Sequence, residues 1–115
     1  MKTQSYIDKI EYFVPPTKLS NETLIEENPL WDVDKIYEKT GIKNRYIADV
    51  NTTATDLAID AGIKFFDKYP EKKKEIDYLI FCTQSPDFFL PTSACLIQDK
   101  LGLRTEIGAI DINQG

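Results

Sequence analysis

The 115-residue sequence predicts an α/β fold, and three observations carry that expectation. Residues 79–83 and 107–111 are short apolar runs rich in β-branched and aromatic residues, the pattern of parallel strands buried on both faces. Between them lies a stretch with a helix start at Thr92 or Ser93 and a stop at Leu101-Gly102. A longer helical stripe precedes the first run, so strands and helices alternate, which implies right-handed βαβ crossovers and a layered sheet.

The elements follow in order. Tyr6, Ile7, Ile10, Tyr12, Phe13 and Val14 form a β-branched and aromatic run that Pro15-Pro16 ends, which predicts a first strand. Ser20-Asn21 then opens a helix with Leu24 and Ile25 on its apolar side and Asn28-Pro29 as its stop. A second short helix is expected over 32–39, with Val33, Ile36 and Tyr37 at helical spacing and Gly41 closing it. Thr53-Ala54-Thr55-Asp56 has capping-box spacing, with aspartate in place of the usual glutamate or glutamine. Ala54, Leu57, Ala58, Ala61 and Phe65 follow on one stripe, and its small residues predict close packing against a sheet. Residues 76–83 read as the next strand. The helix that starts at Thr92 or Ser93 has Lys100 in its last turn, where a cation complements the dipole, and Gly102 just beyond its end.

Composition narrows the function. With 42% hydrophobic and 11% aromatic residues the chain has the makings of a packed core. A formal charge of −5 with two arginines, Arg45 and Arg104, argues against a nucleic-acid partner, because phosphate neutralisation needs a basic face. The one basic run, Lys72-Lys73-Lys74, is flanked by Glu71 and Glu75 and reads as a solvated turn. The start at Met1-Lys2-Thr3-Gln4-Ser5 lacks a signal-like apolar stretch and no window suits a membrane span, so a cytoplasmic protein without membrane contact is expected. There is no histidine, and Cys82 and Cys95 form neither a disulfide framework nor a metal-ligand set, so neither metal nor cofactor is expected. Both cysteines fall within apolar runs and read as buried, inert packing residues. By residue chemistry alone this chain has no catalytic constellation.

One segment nevertheless points to a family. Pro86-Asp87 through Leu103 reads P-D-x-x-x-P-x-x-A-C-x-x-Q-x-x-L-G-L, followed by Ala109-Ile110-Asp111-Ile112-Asn113. Thr40-Gly41-Ile42 leads to Arg45, Ile47 and Ala48, and Ile76-Asp77-Tyr78-Leu79-Ile80 opens a strand. In this order and spacing the blocks resemble the β-ketoacyl-acyl-carrier-protein synthase III family of thiolase-like condensing enzymes. The resemblance implies that residues 1–115 are one incomplete domain, the N-terminal part of a thiolase-like fold, ending just before the nucleophilic cysteine. That cysteine is expected directly after Gly115, with the catalytic histidine and asparagine further downstream, so no catalytic residue is expected in this chain.

The resemblance also implies partners and substrates: acyl carrier protein, an acyl-CoA or acyl-ACP donor, malonyl-ACP, and a second subunit in a homodimer. Leu90, just before Pro91, takes the place of a residue that closes the partner subunit's acyl pocket. Lys35 and Lys39 take the places of the family's tryptophan and arginine that hold coenzyme A. Lysine offers neither the stacking platform nor the bidentate fork, so the donor-binding chemistry is expected to differ. Trp31, four residues before Lys35, reads as a packing residue at a helix start. The implied reaction is decarboxylative Claisen condensation of an acyl thioester with malonyl-ACP in fatty-acid biosynthesis. The alternatives are a relative in secondary metabolism, a hydroxymethylglutaryl-CoA synthase-like enzyme, or a noncatalytic paralogue; the residue after Gly115 separates the last from the rest.

Overall fold

The structure is a computed structural model that describes residues 4–114. The sequence expectations for residues 1–3 and for Gly115 lie outside the described residues. The chain divides into two compact units, Val14–Thr52 and Met1–Phe13 with Thr53–Gly115.

In the first of these, β1 (Thr17–Ser20) pairs antiparallel with β2 (Asn44–Ile47), with Thr17 opposite Ile47 and Ser20 opposite Asn44. Two short helices connect them. Helix α1 (Asn21–Glu27) is capped by Ser20, whose hydroxyl accepts from the Thr23 N–H, and its backbone turns at Asn28. Helix α2 (Val33–Thr40) is capped by Asp32, which accepts from the Lys35 N–H at 3.1 Å. It ends at Gly41 with φ 68°, a left-handed conformation that costs glycine little because it has no Cβ.

The second unit contains a parallel pair, β3 (Tyr78–Cys82) and β4 (Gly108–Ile112), with Leu79 beside Ala109 and Phe81 beside Asp111. Helix α4 (Ser93–Lys100) makes the crossover between them. Helix α3 (Ala54–Lys68) has the expected capping box, Thr53 and Asp56 each satisfying the other's backbone N–H. A 3-10 turn over Pro70–Lys74 leads from α3 toward β3, so the lysine run is a turn. Ile97, Leu101, Leu103 and Ile107 form the buried core, with Ala58, Ile59, Phe66, Leu79 and Phe81 packed against it.

Several expectations need correction. Residues 6–14 are not a strand, since a strand requires a neighbouring backbone for its ladder and none among the described residues pairs with them. The alternation therefore yields one parallel crossover, and the segment 44–47 is a strand instead, made so by pairing with β1. Strand β3 is not buried on both faces: Leu79 and Phe81 point to the core, while Tyr78, Ile80 and Cys82 are exposed. Of the small residues on the α3 stripe, Ala58 packs against the cluster that holds Ile97 and Leu101 of the α4 region. At Gly62 a Cβ would come within 2.5 Å of Leu101 Cδ1, so α3 and α4 approach closely there.

The 4–13 segment is held to α3 and to the turn after it by charge. Glu11 is 9% exposed, with Oε1 3.2 Å from Lys64 Nζ and Oε2 3.3 Å from Lys68 Nζ. Asp8 lies 2.8 Å from Lys72 Nζ, and Lys64 Nζ sits 4.8 Å from the Tyr12 ring centroid. The backbone N–H of Tyr12, and then Lys64, hold the Glu11 carboxyl below the usual carboxylate range; the Lys72 hydrogen bond does the same for Asp8. A carboxylate whose folded pKa is depressed stabilises above its unfolded value, about 4, and that contribution is lost as pH falls through the lower folded value. Glu11 and Tyr12 resonances are thus expected to move toward random-coil shifts on acidification below about pH 4, and with added salt at neutral pH. Shifts that hold through both titrations would show that the latch does not form.

Candidate functional site at the carboxyl edge of the parallel pair

In open α/β sheets, ligands bind outside the carboxyl ends of the strands. Here that edge is formed by Cys82 and Ile112, and the ladder runs one step further through the Thr83 N–H, which donates to the Ile112 carbonyl at 3.0 Å. The 83–92 loop leaves β3 at this edge and delivers the chain to the N-terminus of α4.

That helix start is satisfied from a distance. Thr92 is the N-cap residue, yet its hydroxyl does not cap the helix and lies 3.3 Å from Cys95 Sγ. The Asp111 carboxylate accepts instead from the Ser93 N–H through Oδ2 and from the Ala94 N–H through Oδ1, both at 2.7 Å. A carboxylate on free N–H groups at a helix N-terminus makes charge-assisted bonds and complements the dipole. Ser93 Oγ accepts from the Asp87 N–H at 3.4 Å, and the Thr53 hydroxyl reaches Asp87 Oδ2 at 3.2 Å. Sequence reasoning missed Asp111 because its partners are 17 and 18 residues away; its one signal was an acidic residue inside an otherwise apolar strand.

The residues singled out from sequence fall in both units. Leu90 is 84% exposed in the 83–92 loop, beside Phe88 and Phe89, which are also exposed. Lys35 and Lys39 are exposed on α2, one turn apart, and Lys35 Nζ is 4.0 Å from Asp32. Trp31 is more than half exposed, so its expected packing role is not met among the described residues. Cys82 and Cys95 are both exposed, contrary to the expectation of buried thiols. Cys82 lies on the uncovered face of β3, and α4 turns Ala94, Ile97 and Leu101 inward, leaving Cys95 outside. Among the described residues no group of three or more metal-ligating side chains forms, and no helix is long and apolar enough to cross a membrane.

The TGI block has a structural account. The Thr40 hydroxyl donates to the Ile36 carbonyl at 2.7 Å and accepts from the Ile42 N–H. Gly41 supplies the left-handed turn, and the Ile42 carbonyl accepts from Asn21 Nδ2 at 2.8 Å. Arg45 donates to Asn21 Oδ1 at 2.7 Å.

No protein-family model matches the chain. Individual proteins do. A beta-ketoacyl-[acyl-carrier-protein] synthase III of Helicobacter hepaticus is 35% identical over 116 residues, covering 97% of this chain and 33% of that protein. The crystal structure of a 3-oxoacyl-(acyl-carrier-protein) synthase III is 43% identical, with a TM-score of 0.80 over 91% of this chain and 31% of that one. A 3-oxoacyl-(acyl-carrier protein) synthase of Burkholderia xenovorans LB400 is 33% identical, with a TM-score of 0.75 over 88% of this chain and 29% of its own. The chain spans about a third of the length of the curated relatives it matches.

Fold and sequence together define part of a thiolase-like α/β fold. Within that class the chain is similar, over most of its own length, to proteins named beta-ketoacyl-[acyl-carrier-protein] synthase III.

Proposed function

We propose that residues 1–115 serve as the N-terminal portion of a 3-oxoacyl-[acyl-carrier-protein] synthase III, which condenses an acyl thioester with malonyl-ACP and releases carbon dioxide. The observation that carries this reading is the similarity to synthases of that name over 97% of the chain. The parallel pair, whose carboxyl edge is the position for a site in such a sheet, is consistent with it. The nucleophile is the cysteine directly after Gly115, with histidine and asparagine from later residues stabilising the charge that develops on decarboxylation. The enzyme acts as a cytoplasmic homodimer on acyl carrier protein substrates. The test is the reading frame beyond Gly115, followed by assay of the complete protein with acyl donors and malonyl-ACP. A residue other than cysteine there, or no condensation by the complete protein, defeats the reading.

Leu90 helps to set acyl-chain selectivity by closing the partner subunit's acyl pocket. Its exposure beside Phe88 and Phe89 supports a role toward a molecule outside this unit. Leu90→Phe in the complete dimer is expected to shift preference toward shorter acyl donors. Unchanged selectivity, or dissociation alone, assigns Leu90 to the subunit interface only.

Lys35 and Lys39 favour a second reading of the donor, one delivered on a carrier protein. Exposed ammonium groups meet phosphate as point charges and give an adenine ring nothing to stack on. Replacing them with Trp and Arg is expected to lower KM for acyl-CoA about fivefold or more if stacking forms. An unchanged KM means that the donor does not use this surface.

A further inference from the structure

We propose that Asp111 is a positioning residue that sets the 83–92 loop, with its apolar tip of Phe88, Phe89 and Leu90, at the carboxyl edge of the β3–β4 pair. The consequence for acyl transfer rests on the condensing-enzyme reading above. The loop starts where β3 ends and finishes at the first turn of α4, so fixing that turn to β4 fixes one base of the loop. Asp111 makes that connection directly, with both carboxylate oxygens 2.7 Å from consecutive amides of α4. The clamp continues into the loop, because Ser93, which is fully buried, accepts from the Asp87 N–H with its hydroxyl. Asp87 is also reached by the Thr53 hydroxyl from the cap of α3, so the residue next to Phe88 is held from two helix starts. The loop's other base is held by the Thr83 N–H on the Ile112 carbonyl, one residue beyond Asp111. Strand β4 therefore anchors both ends of the loop, and Asp111 is the only side chain of β4 that does so among the hydrogen bonds of the described residues.

Asp111 has no need to touch substrate to act. Three large apolar side chains are presented to solvent from a loop whose bases are fixed by polar bonds, and a displacement of about 1 Å at a positioned group can change a rate a hundredfold. The group recognised at this tip is apolar, which suits the hydrocarbon part of a thioester donor.

The experiment compares Asp111→Asn, Asp111→Ala and Ser93→Ala in the complete protein, by amide exchange over residues 84–95 and by the ratio of kcat/KM for short and long acyl donors. With Asp111→Ala, exchange at Ser93 and Ala94 is expected to rise about tenfold or more, and the donor ratio to change about threefold or more. Asp111→Asn, which keeps one acceptor oxygen, is expected to fall between wild type and alanine. Ser93→Ala removes only the Asp87 link and is expected to shift the ratio in the same direction with a smaller change in exchange; it also serves if Asp111→Ala fails to fold. Faster exchange with an unchanged donor ratio overturns the positioning role and leaves a structural cap. Unchanged exchange in all three overturns the clamp itself. A wild-type protein without acyl transfer overturns the condensing-enzyme reading alone, and amide exchange then decides the clamp by itself.

Discussion

Ile97→Ala is expected to destabilise this chain by about 2–3 kcal/mol. Ile97 is 3% exposed on the inner face of α4 and packs with Leu101, Leu103 and Ile107. Truncation loses the transfer free energy of the removed carbons and also leaves space behind. The range for such substitutions is about 2–5 kcal/mol, and its upper end belongs to sealed sites where a cavity cannot relax or admit water. Ile97 instead borders an open apolar groove of about 260 Å³ that Gly62, Phe65 and Leu101 also line, so part of the vacated space joins a surface depression. That places the cost in the lower half of the range. Ile80→Ala is the matched control: the same residue type in the adjacent strand, but 59% exposed on the uncovered face of β3. It is expected to cost less than about 1 kcal/mol. Urea unfolding of the two variants checks the contrast. Equal costs would mean that the outer face of the pair is covered as fully as the inner one.

Asn21→Leu is expected to destabilise the chain by about 1–3 kcal/mol despite adding apolar volume. Asn21 is 2% exposed, and every polar group of its side chain that faces the protein is used. Its Nδ2 donates to the Ile42 carbonyl, its Oδ1 accepts from Arg45, and its backbone N–H donates to the Lys43 carbonyl at 3.1 Å. Leucine would keep the backbone bond and abandon two part-buried partners at once, and each abandoned group costs whatever part of its hydration the packed side chain denies it. Asn28→Ala, which removes a single half-buried bond to the Leu24 carbonyl at 3.1 Å, provides the comparison and is expected to cost about 1 kcal/mol or less. A smaller loss for Asn21→Leu than for Asn28→Ala would show that the Asn21 node is dispensable. The node fixes residues 42–45 immediately after α2, the helix that carries Lys35 and Lys39, the positions proposed above to face the acyl donor.

What could be read from the chain by itself was whatever depends on near neighbours. The caps at Ser20, Asp32 and Thr53 each join residues three apart, so the side chains that begin α1, α2 and α3 sit within reach in the sequence. Gly41 and Gly102 mark helix ends for the same reason, since one residue's backbone freedom decides the turn. Strands β3 and β4 were also legible, as runs with no polar residue to interrupt them until Asp111. Blocks such as P-D-x-x-x-P carried the resemblance, because spacing survives in sequence even where its purpose does not show.

Tertiary structure decided whatever requires a partner far along the chain. The apolar run over 6–14 has strand composition but no adjacent backbone among the described residues, while the less apolar 44–47 becomes a strand because β1 supplies one. Hydrophobic character alone could not reveal that only one face of β3 is covered, so Cys82 was misread, and the short helix around Cys95 has too little periodicity to show which side turns inward. Asp111 was the hardest to foresee, since a lone acid in an apolar strand acquires its meaning only when the crossover returns the start of α4 to it. Local chemistry selects the elements over three or four residues; long-range pairing, which must first overcome the entropy of closing the chain between partners, selects what each element faces.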